Sequence, residues 1–265
     1  MTYELKDYQS EDDSKLISEI VNHEAAIKLM NWLREQKIDE VYASVYRASF
    51  LQLNEKTAPR VMECVKNACR MFGLQEEPVV YVNRDFDGDI TVGGISAPFV
   101  LISSRYLEKL EHEKPHLLPG VIAGQVAGIQ AGHHRGLLLL WLLETAMSLL
   151  PIPRAVMMTL EGLLNNWKRC RNYTCDRAAY LALGDYSMAL ECILLDRVPV
   201  HILDRMGLGT EQDVYQSQVE AFTESSGVDS LINVANSLLD DTDWLPVRCA
   251  KLAEFVGKGD CANDA

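Results

Sequence analysis

The stretch Gly120-Val-Ile-Ala-Gly-Gln-Val-Ala-Gly-Ile-Gln-Ala-Gly-His-His134 decides how this chain is built. Glycines stand at 120, 124, 128 and 132 and alanines at 123, 127 and 131, each set four apart. On a helix, steps of four gather these smallest residues on one face. Each glycine costs about 1 kcal/mol against alanine in a helix interior, so a helix standing alone would not keep several. The smooth face therefore predicts a tertiary cause: close approach of another backbone, or a bulky group seated against the helix.

Upstream of this helix, Pro115 and Pro119 bracket a linker, and before them the texture is one of short extended runs. Pro78 to Asn83, Ile90 to Gly94 and Pro98 to Ser103 read as strands, with Asp85 to Asp89 as a turn. Ser104 is placed to cap a helix from Arg105 to about Glu113. Thr57 to Phe72 is amphipathic through Val61, Val65, Ala68 and Met71, and Gly73 is a natural stop. Lys15 to Gln36 has apolar residues at helical spacing and predicts one or two helices. Residues 1–13 read as a loose acidic lead-in, and Tyr42 to Leu53 carries no clear signal.

Downstream, Leu137 to Leu143 is strongly apolar, and the apolar character resumes after Glu144 as far as Leu150. A membrane span needs about 20 apolar residues, so this run predicts a buried helix, the alternatives being a helix that touches a membrane or binds a partner, including a second copy of the chain. Pro151 and Pro153 end it, and a long helix is expected from Ala155 to Leu183, closed by Gly184. Shorter helices are expected at 186–196, 211–223, 228–239 and 246–256. The resulting fold class is α+β: mostly helical, with a small antiparallel sheet. We divide the chain into an N-terminal helical extension (1–55), a main domain (56–256) and a flexible tail (257–265).

Composition narrows the function. A formal net charge of −13 over 265 residues leaves no basic concentration for nucleic-acid phosphates, and an anionic membrane surface would repel the chain. The seven cysteines are odd in number and contain no CxxC pair, which reads as reduced thiols. The polar start, Met-Thr-Tyr-Glu-Leu-Lys, has no signal-peptide character, and the expected location is cytoplasmic.

Five separated segments together resemble the HtpX-type and CAAX-prenyl-protease-type gluzincin metallopeptidases. They are Pro78-Val-Val-Tyr-Val, Pro98-Phe-Val-Leu-Ile-Ser-Ser, the helix holding Gly124-Gln-Val-Ala-Gly128, Trp167-Lys-Arg-Cys-Arg-Asn-Tyr-Thr-Cys-Asp-Arg-Ala-Ala179 and Thr242-Asp-Trp-Leu-Pro-Val-Arg248. The resemblance covers about residues 40–256 in one order and implies a zincin-like fold with helical extensions at both ends. In that family, HExxH on a helix gives two zinc-binding histidines and a general-base glutamate. The matching positions here are Gly124, Gln125 and Gly128. The third ligand, a glutamate opening an ExxxD run, matches Asn172, with the aspartate kept as Asp176. A histidine often found before a proline near the C-terminus falls on Asp243.

Glycine offers no ligand atom, and glutamine cannot act as the base. His133 and His134 are adjacent and would point about 100° apart on a helix. The resemblance therefore implies a pseudopeptidase: a scaffold without metal, cofactor or catalytic residue that binds a peptide or protein, including an active peptidase or another enzyme of its pathway. In the family the substrate backbone pairs with the strand flanking the active-site helix, which here is Asp89, Ile90, Thr91, Val92, Gly93 and Gly94. The emptied helix face would receive a neighbouring aromatic such as Tyr173 or a partner side chain. The alternative is an enzyme of different chemistry, or an unconventional metallopeptidase, using Gln125, Asn172, Asp176, Asp243, Cys170 or Cys175 in the remodelled cleft.

Overall fold

The computed structural model describes residues 2–84, 86, 88–146, 153–195, 197–206 and 245–263. Four short helices lead the chain: α1 (Leu5–Tyr8), α2 (Glu11–Asn22), α3 (Glu24–Glu35) and α4 (Ile38–Ser49). The stretch without a clear sequence signal thus forms most of α4 and a two-residue strand, β1 (Leu51–Gln52). Helix α5 (Pro59–Phe72) begins with proline in its first turn and ends at Gly73, whose φ of +69° is the left-handed conformation that glycine adopts without penalty.

Three further strands follow: β2 (Val79–Asn83), β3 (Ile90–Gly93) and β4 (Phe99–Ser103). The sheet order is β1-β2-β4-β3. The β1/β2 and β3/β4 pairs are antiparallel, but β2 and β4 run parallel, with Tyr81 opposite Leu101. The sheet is mixed, and the expectation of a purely antiparallel one is corrected. The cause lies in β4, where all five residues are buried. A strand apolar on both faces belongs inside a sheet, so Phe99–Ser103 takes the centre and β3 moves to the edge.

Helix α6 (Ser104–Glu108) is capped by the side chain of Ser103, one residue before the expected cap, and continues as a π-helical turn over Lys109–Glu113. Then come α7 (Leu118–Gln130), α8 (His133–Ala146), α9 (Arg154–Leu183), α10 (Tyr186–Leu195), α11 (Val200–Met206) and α12 (Leu245–Asn263). The last helix runs on through most of the stretch expected to be a frayed tail. The helices expected at 211–223 and 228–239, and Asp243, lie outside the described residues. Among the described residues no helix is long and apolar enough to cross a membrane.

Helix α9 is shared by the two largest of the buried apolar clusters. One joins α5, α7 and the sheet through Val61, Val65, Phe72, Val80, Val100, Ile122 and Val126, with Tyr8 from the N-terminus. The other joins α2 and α3 to α8 and α9 through Ile20, Leu29, Leu33, Leu139, Leu143, Leu160 and Trp167. Helix α9, 30 residues and so about 45 Å long, contributes to both. In α8, Leu138, Leu139, Leu140, Leu142 and Leu143 are buried and only Trp141 of this run is exposed. As far as Leu143 its apolar character is therefore that of a core helix, and residues 147–150 of the run lie outside the described residues.

Candidate functional site

The glycine-rich stretch is two helices. Helix α7 ends at Gln130, and Gly132 turns the chain with φ +85° so that His133 opens α8. The small face of α7 packs on α9. A Cβ at Gly120 would stand 2.6 Å from Leu183, and one at Gly124 would stand 3.0 Å from the Cys175 carbonyl oxygen. Rising numbers on one helix meet falling numbers on the other, as in an antiparallel pair. At Gly128 a Cβ would stand 2.8 Å from His133 Nδ1, so the imidazole fills that space. Tyr173, expected there, lies instead beneath the Lys251 ammonium, 5.9 Å from its ring centroid.

His133 belongs to a buried polar network around Asp13. The Asp13 carboxylate lies 3.0 Å from His133 Nε2, and accepts from Trp167 Nε1 at 2.8 Å and from Thr174 Oγ1 at 2.7 Å. Thr174 Oγ1 in turn accepts from the Ser10 backbone N–H at 3.1 Å. Asp13 is 0% exposed, which corrects the reading of residues 1–13 as a loose lead-in. Burial alone would push its carboxyl up, but the charge of His133 and the bonds from His133, Thr174 and Trp167 outweigh this and hold it below its ordinary value. The sequence carried one usable signal: Asp13, Ile17 and Ile20 share a helical face, so Asp13 stands on the apolar stripe of α2.

Cys175 Sγ approaches His133 Nδ1 at 3.8 Å, so the order Cys175–His133–Asp13 matches a nucleophile, a base and its orienting carboxylate. Its setting opposes that chemistry. His133 is 0% exposed, and burial pushes the Cys175 thiol up to about 12, far from the thiolate a nucleophile needs. The network ties α2, α8 and α9 together.

A cleft of about 440 Å³ opens along the same α7–α9 contact, and Cys175 is among its lining residues. Gly124, Gln125, Asn172, Cys175 and Asp176 line it together with Asp89 and Ile90 from the start of the edge strand, so seven of the candidate site positions meet in one place. Gly128 is not among its lining residues, being covered by His133. Thr91, Val92, Gly93 and Gly94 do not reach the cleft either, and Val92 points into the core. What sequence reasoning missed was the cationic wall: Arg171, Arg197 and Arg248. Arg248 is bound bidentately to Asp176, Nε to Oδ2 at 2.9 Å and Nη2 to Oδ1 at 2.7 Å, with both residues buried. The aspartate that the resemblance assigns to a metallopeptidase motif thus anchors α12 to α9.

The donor set does not fit zinc. Two of the matched ligand positions are glycines and the third is an asparagine, and among the described residues no group of three or more His, Cys, Asp or Glu side chains is placed to hold a metal ion. What the cleft offers is polar recognition: guanidinium groups, two amides and the edge of β3, which among the described residues pairs only with β4. No family model, curated protein or solved structure matches the chain.

Proposed function

We propose that this chain is a metallopeptidase-like binding protein without zinc-peptidase activity, which holds an extended peptide segment of a protein partner in the cleft between α7, α9 and β3. The observation that carries the reading is the convergence of Gly124, Gln125, Asn172 and Asp176 with Asp89 and Ile90 on one cavity. An edge strand offers unpaired main-chain groups to an incoming strand, and the cleft beside it supplies side chains for selection.

The test is amide hydrogen exchange with a pool of synthetic eight-residue peptides. Added protection at Ile90–Gly93, without loss of peptide from the pool, is the expected result. Unchanged exchange there at millimolar peptide sinks the groove, and cleavage sinks the inactive reading. The alternative, an enzyme of different chemistry, is favoured by the Cys175–His133–Asp13 connectivity alone and is opposed by the burial of its thiol.

A further inference from the structure

We propose that the cleft receives a terminal carboxylate, the C-terminal end of a peptide laid antiparallel along β3, with Arg171 and Arg197 as its cationic partners. This inference rests on the reading of the cleft as a peptide groove. Its first support is charge. In a chain of net charge −13, the cleft is lined by three arginines and two aspartates. Arg248 is already committed to Asp176 through its Nε and Nη2. Arg171 and Arg197 form no ion pair with a described residue, and Arg171 Nε is buried without a hydrogen-bond partner. Two guanidinium groups that line a polar cavity without an ion-pair partner among the described residues are matched by an anionic acceptor.

The second support is direction. Of the edge strand, only the Ile90 end and its neighbours Gly88 and Asp89 reach the cleft. A peptide pairing antiparallel with Ile90–Gly93 runs from the Gly93 end towards Ile90, so its C-terminus arrives among the arginines. A parallel peptide would bring its ammonium group there, against the same charges. A planar monoanion matches the guanidinium fork, whereas a dianionic phosphate would meet more repulsion from Asp89 and Asp176.

The experiment is fluorescence anisotropy at 0.15 M salt with one fluorescein-labelled pool of eight-residue peptides, made as free acids and as C-terminal amides. Free acids should bind about tenfold tighter than amides, and Arg171→Gln and Arg197→Gln should each reduce that preference by weakening the free acids more than the amides. Arg197 is exposed on a turn, so its variant remains informative if Arg171→Gln fails to fold. Equal binding of acids and amides overturns the carboxylate and leaves the groove standing. Binding of neither overturns the groove itself. An acid preference that survives both substitutions, or amides ending in aspartate binding as well as the free acids, also overturns the proposal.

Discussion

His133 Nε2 sits 3.0 Å from Asp13 Oδ2, joining two side chains 120 positions apart, each 0% exposed. This contact joins the start of α8 to the N-terminal helices, and α9 closes it through Trp167 and Thr174. It explains why Gly128 must lack a side chain: the imidazole held by Asp13 occupies the space a Cβ would need.

Asp13→Ala should destabilise the fold by about 3–5 kcal/mol, because it leaves the donors of His133, Trp167 and Thr174 buried without their acceptor. Urea unfolding followed by tryptophan fluorescence measures this. A loss below about 1 kcal/mol would mean that the network is solvated and not a structural tie.

The same carboxylate sets an acid dependence. Its folded pKa lies below the ordinary value of about 3.9, so the folded state favours the ionised form and the unfolded state binds the proton more readily. The stability it contributes is complete above that ordinary value and is lost as pH falls through the folded one. Unfolding midpoints between pH 6 and 3 should fall more steeply for the wild type than for Asp13→Asn. Parallel curves would remove Asp13 from the account.

Glycine substitutions should separate by position. Gly128→Ala meets His133 at 2.8 Å and should destabilise by about 1–3 kcal/mol. Gly162→Ala, on an exposed turn of α9 with nothing within 4 Å of the added carbon, should stabilise by up to about 1 kcal/mol. Melting temperatures of the two variants decide the matter, and a shift of the same sign in both would contradict the packing described for α7.

Arg248→Ala should cost about 3–5 kcal/mol, since it removes the bidentate cationic partner of the buried Asp176 carboxylate. The double variant Asp176→Leu with Arg248→Met should recover most of that loss, because it removes both charges at similar volume. A double variant no better than the single one would show that the pair carries more than mutual neutralisation.

Thiol labelling should leave Cys175 for last. Its thiol is pushed up to about 12 by burial, against about 11 for Cys170. Iodoacetamide at pH 8 should modify the half-buried Cys64 and Cys170 first and reach Cys175 only on unfolding. Early modification of Cys175, read by peptide mass, would revive the enzymatic alternative.

The sequence by itself determined the local elements whose signals are local: the amphipathic α5 with its glycine stop, the strand at Phe99–Ser103, and α9 from its proline start to Gly184. A resemblance to a known pattern also pointed to Gly124, Gln125, Asn172 and Asp176, four positions that the tertiary structure brings to one cavity. Tertiary structure alone decided the strand order, since the demand of β4 for burial on both faces outweighs the chain order of the strands. It alone decided that Asp13, in an acidic run that reads as solvated, is the centre of a buried network, because the donors that offset its burial come from residues more than 100 positions away. The arginine wall of the cleft was hidden for the same reason. Arg171, Arg197 and Arg248 are unremarkable as letters, and only the folding of α9, α10 and α12 against one another brings three like charges to one cavity.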